Sequence, residues 1–262
     1  MDDVLCDRDG AVAIVTLNRP AQLNTISQPM LSALSQALLA CETDPEVRAV
    51  VLTGAGKAFC AGLDLNDAAS EEGVSRGGFA LAPTLDLRDF PPVVLHAMDT
   101  PVICAINGGA AGFGLDLALG CDIRVCAAHA RLSLAFTRRG VLPETGGTWL
   151  LPRLIGWSRA AEIVFAGRTL EAAEALELGL VSRVTDADAL LAAARGLAVE
   201  ICACAPLAVQ AAKRMMRAGM NEGFAEHIQR VYLQTLPLLQ TRDFQEGFRS
   251  FLERREPRFE GR

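Results

Sequence analysis

Apolar residues follow two different patterns along the chain, and the change falls near Gly156. Before it, continuous apolar runs at 49–53 and 101–106 end close to glycine and alternate with helical patterns. A run that is apolar at every position predicts a strand buried on both faces, as in a parallel sheet. Beyond Gly156 the pattern is almost entirely helical, with residues 180–184 as the exception. We therefore predict an α/β core followed by a helical extension.

Several element boundaries can be located from individual residues. Ser27 is predicted to cap a helix that stops at residues 44–46. Pro206 and Gly219 predict the start and the end of a later helix. Residues 67–83 are rich in Ala, Ser, Gly and Glu and show no periodicity. We expect that stretch to form a mobile loop beside the functional site.

The last predicted helix carries a stripe of large apolar side chains, namely Phe244, Phe248, Phe251 and Leu252. Apolar faces of this size exceed what a short helical bundle needs. They are expected either to cover a neighbouring subunit or to pack within the monomer. Periodicity alone favours neither interpretation.

Composition narrows the class of protein. The chain has 262 residues, of which 51% are hydrophobic and 21% charged, so it can bury a large core and is not disordered. Its net charge of −6 argues against nucleic acid or an anionic membrane as a partner. The first residues are acidic and do not resemble a leader, and no apolar run approaches the roughly 18 residues of a membrane span. The sequence predicts a cytoplasmic protein.

Cysteine and histidine spacing gives no sign of a metal centre. The eight cysteines are dispersed, several of them within apolar runs, which predicts reduced and buried thiols. The three histidines cluster neither with the cysteines nor with one another. We expect no metal site.

Two glycine turns superficially resemble nucleotide loops. Residues 53–57 lack the Walker spacing, and Ala58 follows the lysine where Ser or Thr is required. Residues 112–114 lack the third glycine of a dinucleotide fingerprint, because Leu117 occupies its place. Turns 61–64 and 112–114 can instead each present a backbone N–H, and two such groups can form an oxyanion hole. The alternative is two glycine-rich turns without a ligand.

Two carboxylates are candidates for acid–base chemistry. Asp116 lies about one turn into an otherwise apolar helix, so it either faces a pocket or interacts with the helix dipole. Glu144 lies in an apolar, glycine-rich setting where desolvation can raise its pKa and make it a base. Its alternative role is that of a first-turn acid of the next helix, residues 148–151.

A series of short motifs extends over essentially the whole chain. They are LNRP at 17–20, LN at 23–24, LTG at 52–54, FCAGLDL at 59–65, PVI at 101–103, NG at 107–108, CD at 121–122, GVLPE at 140–144, LPR at 151–153 and GLV at 179–181. Their order and spacing resemble the crotonase superfamily, which contains the enoyl-CoA hydratases and isomerases. The resemblance implies an α/β fold, a spiral of ββα repeats over residues 1–195. It also implies a helical trimerisation region over 196–262, assembled as a homotrimer or a dimer of trimers.

The resemblance also implies a substrate and a binding site. The substrate is an acyl-CoA thioester whose oxygen accepts hydrogen bonds from the backbone N–H groups of Leu63 and Phe113. Coenzyme A is part of the substrate, and neither a cofactor nor a metal is implied. The predicted contacts to the acyl-CoA are Gln22, Asn24, Ala61, Gly62, Asp64, Leu65, Phe136 and Arg254. Arg254 could equally pair with a neighbouring glutamate, Glu253 or Glu256.

One departure from the family pattern affects the predicted mechanism. Hydratases similar to this chain use two glutamates, at the positions of Asp116 and Phe136, and phenylalanine cannot transfer a proton. Dienoyl-CoA isomerases and the ring-opening isomerases of phenylacetate degradation carry an acid at the position of Glu144. We therefore predict an enoyl-CoA hydratase/isomerase in which Glu144 is the principal base and Asp116 the second acid. The alternatives are a ring-type, epoxyphenylacetyl-CoA-like isomerase and a non-catalytic acyl-CoA-binding protein.

Overall fold

A computed structural model describes residues 2–64 and 90–262, and two sheets form its centre. The larger sheet has the order β1-β2-β3-β5-β7-β10 and the smaller the order β4-β6-β8-β9. The strands are β1 Val4–Asp9, β2 Val12–Leu17, β3 Ala49–Gly54, β4 Ala58–Cys60, β5 Val102–Ile106, β6 Gly109–Ala111, β7 Ile123–Ala127, β8 Arg131–Ser133, β9 Thr169–Glu171 and β10 Arg183–Thr185. The predicted loop at 67–83, and Leu65, lie outside the described residues.

Consecutive strand pairs build a spiral. In the pairs β3/β4, β5/β6 and β7/β8, the first strand joins the larger sheet and the second joins the smaller. Successive turns then pair in parallel: Val51 lies beside Ile103, and Ile103 beside Ile123. Each turn therefore adds one strand to each sheet, which confirms the predicted spiral of strand and helix repeats.

The helices are α1 Gln28–Thr43, α2 Pro91–Ala97, α3 Phe113–Gly120, α4 Gly147–Ile155, α5 Trp157–Ala166, α6 Ala172–Glu177, α7 Leu190–Cys202, α8 Pro206–Gly219, α9 Phe224–Leu238 and α10 Arg242–Glu253. The predicted cap is confirmed, because Ser27 Oγ accepts a hydrogen bond from the Met30 N–H at 3.4 Å. The predicted bounds of α8 are also confirmed.

Two predictions for the second half of the chain need correction. Strand β9 was not anticipated, because only Leu170 of its three residues is buried and so short a segment shows no periodicity. The strand predicted at 180–184 begins later, at Arg183, although Leu180 and Val181 are buried. The cysteine prediction holds in part: all eight thiols are free, but Cys6 and Cys204 are exposed.

Helix α7 packs on β3, β5 and β7 of the larger sheet. The predicted domain boundary between residues 195 and 196 therefore falls within a helix that belongs to the core.

Charged contacts attach the next helix to the core. In α8, Lys213 Nζ lies 2.7 Å from Asp122 Oδ2, and Arg214 and Arg217 each lie 2.7 Å from a carboxylate oxygen of Asp99. These ion pairs hold α8 against the segments that precede β5 and β7, because Asp99 and Asp122 lie there.

The apolar stripe of α10 remains largely uncovered in the single chain. Phe251 and Leu252 are 80% and 79% exposed. Of the two predicted alternatives, packing within the monomer does not cover these two side chains in the part of the chain that the structure describes.

None of the described helices is by itself long and apolar enough to cross a membrane. The consecutive helices Ala187–Cys202 and Pro206–Gly219 pass that test of length and composition only as a pair, and they are bent by 105° where they meet.

Candidate active site

Two glycine contacts hold the turn after β4 against the turn before α3. A Cβ atom added to Gly114 would lie 2.2 Å from the Cys60 carbonyl oxygen, so the two backbones meet without room for a side chain. Gly62 has a φ of +109°, and a Cβ added there would lie 3.1 Å from the Ala111 carbonyl oxygen. Only glycine satisfies both the close approach and the positive φ. The two predicted oxyanion-hole turns are therefore packed side by side.

The backbone pairing around these turns leaves two N–H groups available. Gly62 O accepts from the Ile26 N–H at 2.8 Å, and the Asp64 N–H donates to Ile26 O at 2.9 Å. Leu63, between them, donates its own N–H to no acceptor in residues 2–64 and 90–262, and the same is true of Phe113. Phe113 is the first residue of α3, where backbone N–H groups have no partner within the helix. Such donors are what an oxyanion hole requires.

Asp116 is fully buried on the first turn of α3 and bonds the segment that carries Glu144. Its Oδ2 accepts from Thr145 Oγ1 at 2.7 Å and from the Gly147 N–H at 3.3 Å. Its Oδ1 is also buried and has no hydrogen-bond partner within the described part of the chain. Burial raises the pKa of Asp116 to about 6, and the nearby charge of Glu144 adds to that increase. The two hydrogen bonds to Oδ2 act in the opposite direction.

Glu144 is exposed, between the buried residues Pro143 and Thr145. Partial burial nevertheless raises its pKa above the ordinary value, while its own backbone N–H opposes the shift. Helix α4 has Gly146 as its N-cap, so Glu144 lies outside the first turn of that helix. The alternative role as a first-turn acid is therefore wrong.

Aromatic side chains surround the start of α3. Phe136 is buried, and a Cβ added to Gly112 would lie 3.9 Å from its ring. Phe113 is buried and packs edge-to-face on Phe90, with ring centroids 5.8 Å apart. The ring of Phe136 therefore forms an apolar surface beside this turn. It cannot transfer a proton.

The two segments predicted to contact coenzyme A are joined to each other. The Ala61 N–H donates to Leu23 O at 3.0 Å, and Arg19 forms an ion pair with Asp64 at 2.9 Å. Gln22 is exposed on this surface. The structure thus brings together the predicted positions 22–24 and 61–64.

Asn24 has a structural role within this surface. It is fully buried, and its Nδ2 donates to the carbonyl oxygens of Ala55 and Ala58 at 2.9 and 2.8 Å. Its Oδ1 accepts from the Arg19 N–H at 2.8 Å. Asn24 therefore fixes the turn from which Gln22 projects, and a contact between its own side chain and coenzyme A stays a prediction.

Arg254 is joined to the other predicted site residues by no hydrogen bond or ion pair within the described part of the chain. It is exposed and follows α10 in the left-handed conformation. Within the described residues its side chain forms no ion pair with Glu253 or Glu256, and no hydrogen bond joins it to the site. A role for Arg254 in binding the nucleotide stays a prediction.

The described residues, 2–64 and 90–262, contain no group of three or more His, Cys, Asp and Glu side chains that could hold a metal ion.

Three residues of the site were not anticipated as such: Thr145, Gly147 and Arg19. Thr145 and Gly147 stand in the glycine-rich segment after Glu144, but their partner Asp116 is about thirty residues away in the sequence. Nothing in the local pattern reveals that pairing.

Because Asp116 is buried, the free energy of unfolding is expected to depend on pH. Between about pH 4 and 6 the folded protein holds a proton on Asp116 that the unfolded chain has released, so stability falls as pH rises through this range. At neutral pH the ionised group costs roughly 3 kcal/mol. We compare how far the unfolding free energy falls between pH 4.5 and pH 7.5 in the wild type and in Asp116→Asn, by urea denaturation. This fall should be smaller in Asp116→Asn by about 2 kcal/mol. The same substitution at the exposed Asp7 should leave that fall unchanged.

The family was established by comparison with known proteins. The model of the enoyl-CoA hydratase/isomerase family matches residues 7–262. YngF of Bacillus subtilis, named as an enoyl-CoA hydratase/isomerase, is 39% identical over 254 residues, which cover 95% of each chain. The 1,2-epoxyphenylacetyl-CoA isomerase of Escherichia coli is 36% identical over an alignment of 271 residues that covers both chains in full.

A solved structure agrees with this assignment. The crystal structure of enoyl-CoA hydratase from Bacillus anthracis matches with a TM-score of 0.91 at 34% identity, covering 99% of this chain and 100% of that one. The overall fold is thus shared with a solved enoyl-CoA hydratase. The chain belongs to the enoyl-CoA hydratase/isomerase family of the crotonase superfamily.

Proposed function

We propose that this chain moves the double bond of an enoyl-CoA thioester, with Glu144 carrying the proton. The observation that supports this proposal is the contrast between the two carboxylates. Glu144 is exposed, whereas Asp116 is fully buried and uses one oxygen to bind Thr145 and Gly147. A general base must come within hydrogen-bond reach of the proton that it removes. Of the two carboxylates, Glu144 has the accessible position.

The reaction is a proton transfer within the substrate. Glu144 takes a proton from C2 of a 3-enoyl-CoA, and the electrons pass to the thioester oxygen. The N–H groups of Leu63 and Phe113 stabilise the resulting dienolate by several kcal/mol. Glu144 then returns the proton to C4, which places the double bond between C2 and C3. Substrate and product are isomers, so no co-reactant is consumed.

Hydration of an enoyl-CoA would need more proton-transferring groups than isomerisation does. Adding water across the double bond requires one group to activate the water and a group to deliver its proton. Phe136 can do neither, and Asp116 would have to reach a water molecule from its buried position. We therefore favour isomerisation over hydration.

A ring-opening isomerisation is the second candidate. The E. coli 1,2-epoxyphenylacetyl-CoA isomerase is similar to this chain over its full length. Phe136 also gives the start of α3 an apolar wall suited to a cyclic acyl group. This reaction would use the same backbone donors and the same base.

We further propose that the protein assembles as a homotrimer or a dimer of trimers. The exposed apolar stripe of α10, which includes Phe248, Phe251 and Leu252, supports this proposal, because monomeric proteins rarely leave large contiguous apolar surfaces uncovered. Coenzyme A is expected along positions 22–24 and 61–65, with Arg254 near its phosphates.

The test of the proposed activity is NMR of the protein with a 3-enoyl-CoA and with crotonyl-CoA in deuterated water. We expect the double bond of the 3-enoyl-CoA to migrate and no hydroxyl group to form at C3 of crotonyl-CoA. Deuterium should enter C4 only in the turnovers in which the Glu144 carboxyl exchanges its proton with the solvent before returning it.

Other outcomes would contradict this assignment in distinct ways. Hydration of crotonyl-CoA at C3 would show that Asp116 and Glu144 together replace the missing second glutamate. If neither substrate reacted although both bound, the reaction would have to be sought among ring-shaped acyl-CoA substrates, or the protein would be a binding member of the family.

A further inference from the structure

We propose that Asp116 and Thr145 form a buried latch that fixes the position of Glu144, so that Asp116 is a positioning residue and not a second proton-transferring acid. This inference rests on the proposed function, because it concerns the base of the proposed reaction. It also assigns a role to Thr145, the residue that follows Glu144.

The hydrogen bonds of Asp116 define the latch. Both donors to Oδ2 come from the segment that carries Glu144: Thr145 Oγ1 at 2.7 Å and the Gly147 N–H at 3.3 Å. The acceptor is on α3, whose first residue, Phe113, supplies one of the proposed oxyanion donors. The latch therefore joins the element that holds the oxyanion to the segment that holds the base.

Close packing surrounds the hydrogen bonds of the latch. A Cβ added to Gly147 would lie 2.2 Å from Asp116 Oδ1 and 3.0 Å from Oδ2, so the carboxylate sits directly against the backbone of this segment. Thr145 is buried as well. Buried hydrogen bonds in such packing restrict the segment far more than exposed ones do.

Access separates the two carboxylates. Asp116 has no exposed surface, and its Oδ1, which has no hydrogen-bond partner in the described part of the chain, is itself buried. Glu144 is exposed two residues before Gly146, the N-cap of α4. A carboxylate enclosed on both oxygens is placed to hold its neighbours, whereas the exposed one is placed to meet a substrate.

The test compares substitutions that keep the latch with substitutions that break it. Asp116→Asn keeps an oxygen that can accept both hydrogen bonds but cannot accept a proton. Thr145→Ser keeps the donor, whereas Thr145→Val has nearly the same shape and no donor. Isomerisation of a 3-enoyl-CoA is measured for each variant, and circular dichroism checks the fold.

We expect Asp116→Asn to lower kcat by less than about tenfold, and Glu144→Gln to lower it by at least about a hundredfold. Thr145→Val should lower kcat by about ten- to a hundredfold with KM changed by less than about twofold, because a misplaced base affects the chemical step more than binding. Thr145→Ser should restore most of the lost turnover.

Results that contradict the latch can be distinguished from results that contradict the proposed function. If Asp116→Asn lost turnover as completely as Glu144→Gln, Asp116 would transfer a proton and the latch would be overturned. If Asp116→Asn did not fold, the Thr145 pair would decide, and equal kcat for Thr145→Val and wild type would overturn it. If Glu144→Gln kept full turnover, the proposed function itself would fail, whatever the Thr145 variants did.

Discussion

Replacing Glu144 with Gln is expected to lower kcat for isomerisation of a 3-enoyl-CoA by about 10²- to 10⁴-fold, the usual contribution of a general base. The amide is nearly the same size and remains polar, but it cannot accept the C2 proton. Binding should change little, because Glu144 is expected to contact the reacting carbons and not the CoA moiety. Turnover is followed by the absorbance of the conjugated thioester, and binding by calorimetry with butyryl-CoA, which has no double bond to move.

The control is the same substitution at an exposed glutamate elsewhere. Glu177, on α6, is exposed, and Glu177→Gln should leave both kcat and the affinity for butyryl-CoA unchanged. If Glu144→Gln kept the wild-type rate while its fold and affinity were intact, the proton would have to be carried by another group, and Asp116 would be the first to test.

Much of the fold could be predicted from periodicity, since burial determines which residues may occupy each strand. Strands β3 and β5 are buried along almost their whole length, so their apolar runs are unbroken. Strand β9 is different, because one buried leucine between two exposed residues makes no recognisable pattern. Sequence patterns thus locate the strands that fill the core more reliably than short strands at a sheet edge.

The candidate site could be predicted only in part, because its contacts join distant segments. The glycines of the two turns and the carboxylates Asp116 and Glu144 stood out by residue type. The bond from Thr145 to Asp116 spans 29 positions, and the bonds from Asn24 to Ala55 and Ala58 span 31 and 34. Asn24 was assigned to the acyl-CoA surface by motif, yet its amide is fully engaged in holding a turn. A motif identifies a residue as important without showing which partner makes it so.

The helical region shows a related limit. Periodicity predicted the apolar stripe of α10, and the structure places Phe248 and Phe251 on an exposed surface. A period of 3.6 residues defines which side chains share a helix face, but it carries no information about what covers that face. The sequence therefore predicts the apolar face itself but not the partner that covers it.

Replacing Gly114 with Ala is expected to impair both folding and turnover. The new Cβ would lie 2.2 Å from the Cys60 carbonyl oxygen and 2.6 Å from the Cys60 Cβ, so one of the two turns must move. Overpacking of this kind costs roughly 1–3 kcal/mol of unfolding free energy. Because Gly114 directly follows Phe113, the same movement displaces a proposed oxyanion donor, and loss of one such donor lowers kcat by about 10²- to 10³-fold.

Gly109 provides a matched control for this prediction, because no heavy atom lies within 4 Å of a Cβ added there and it precedes the same helix. Gly109→Ala should change the unfolding free energy by less than about 0.5 kcal/mol, measured by urea denaturation, and leave kcat unchanged. A Gly114→Ala protein that folds and keeps the wild-type kcat would show that the thioester oxygen is held elsewhere. A Gly114→Ala protein that loses kcat but still binds butyryl-CoA would show that these donors stabilise the transition state more than they stabilise the bound thioester. This is expected because the negative charge on the thioester oxygen develops only in the transition state.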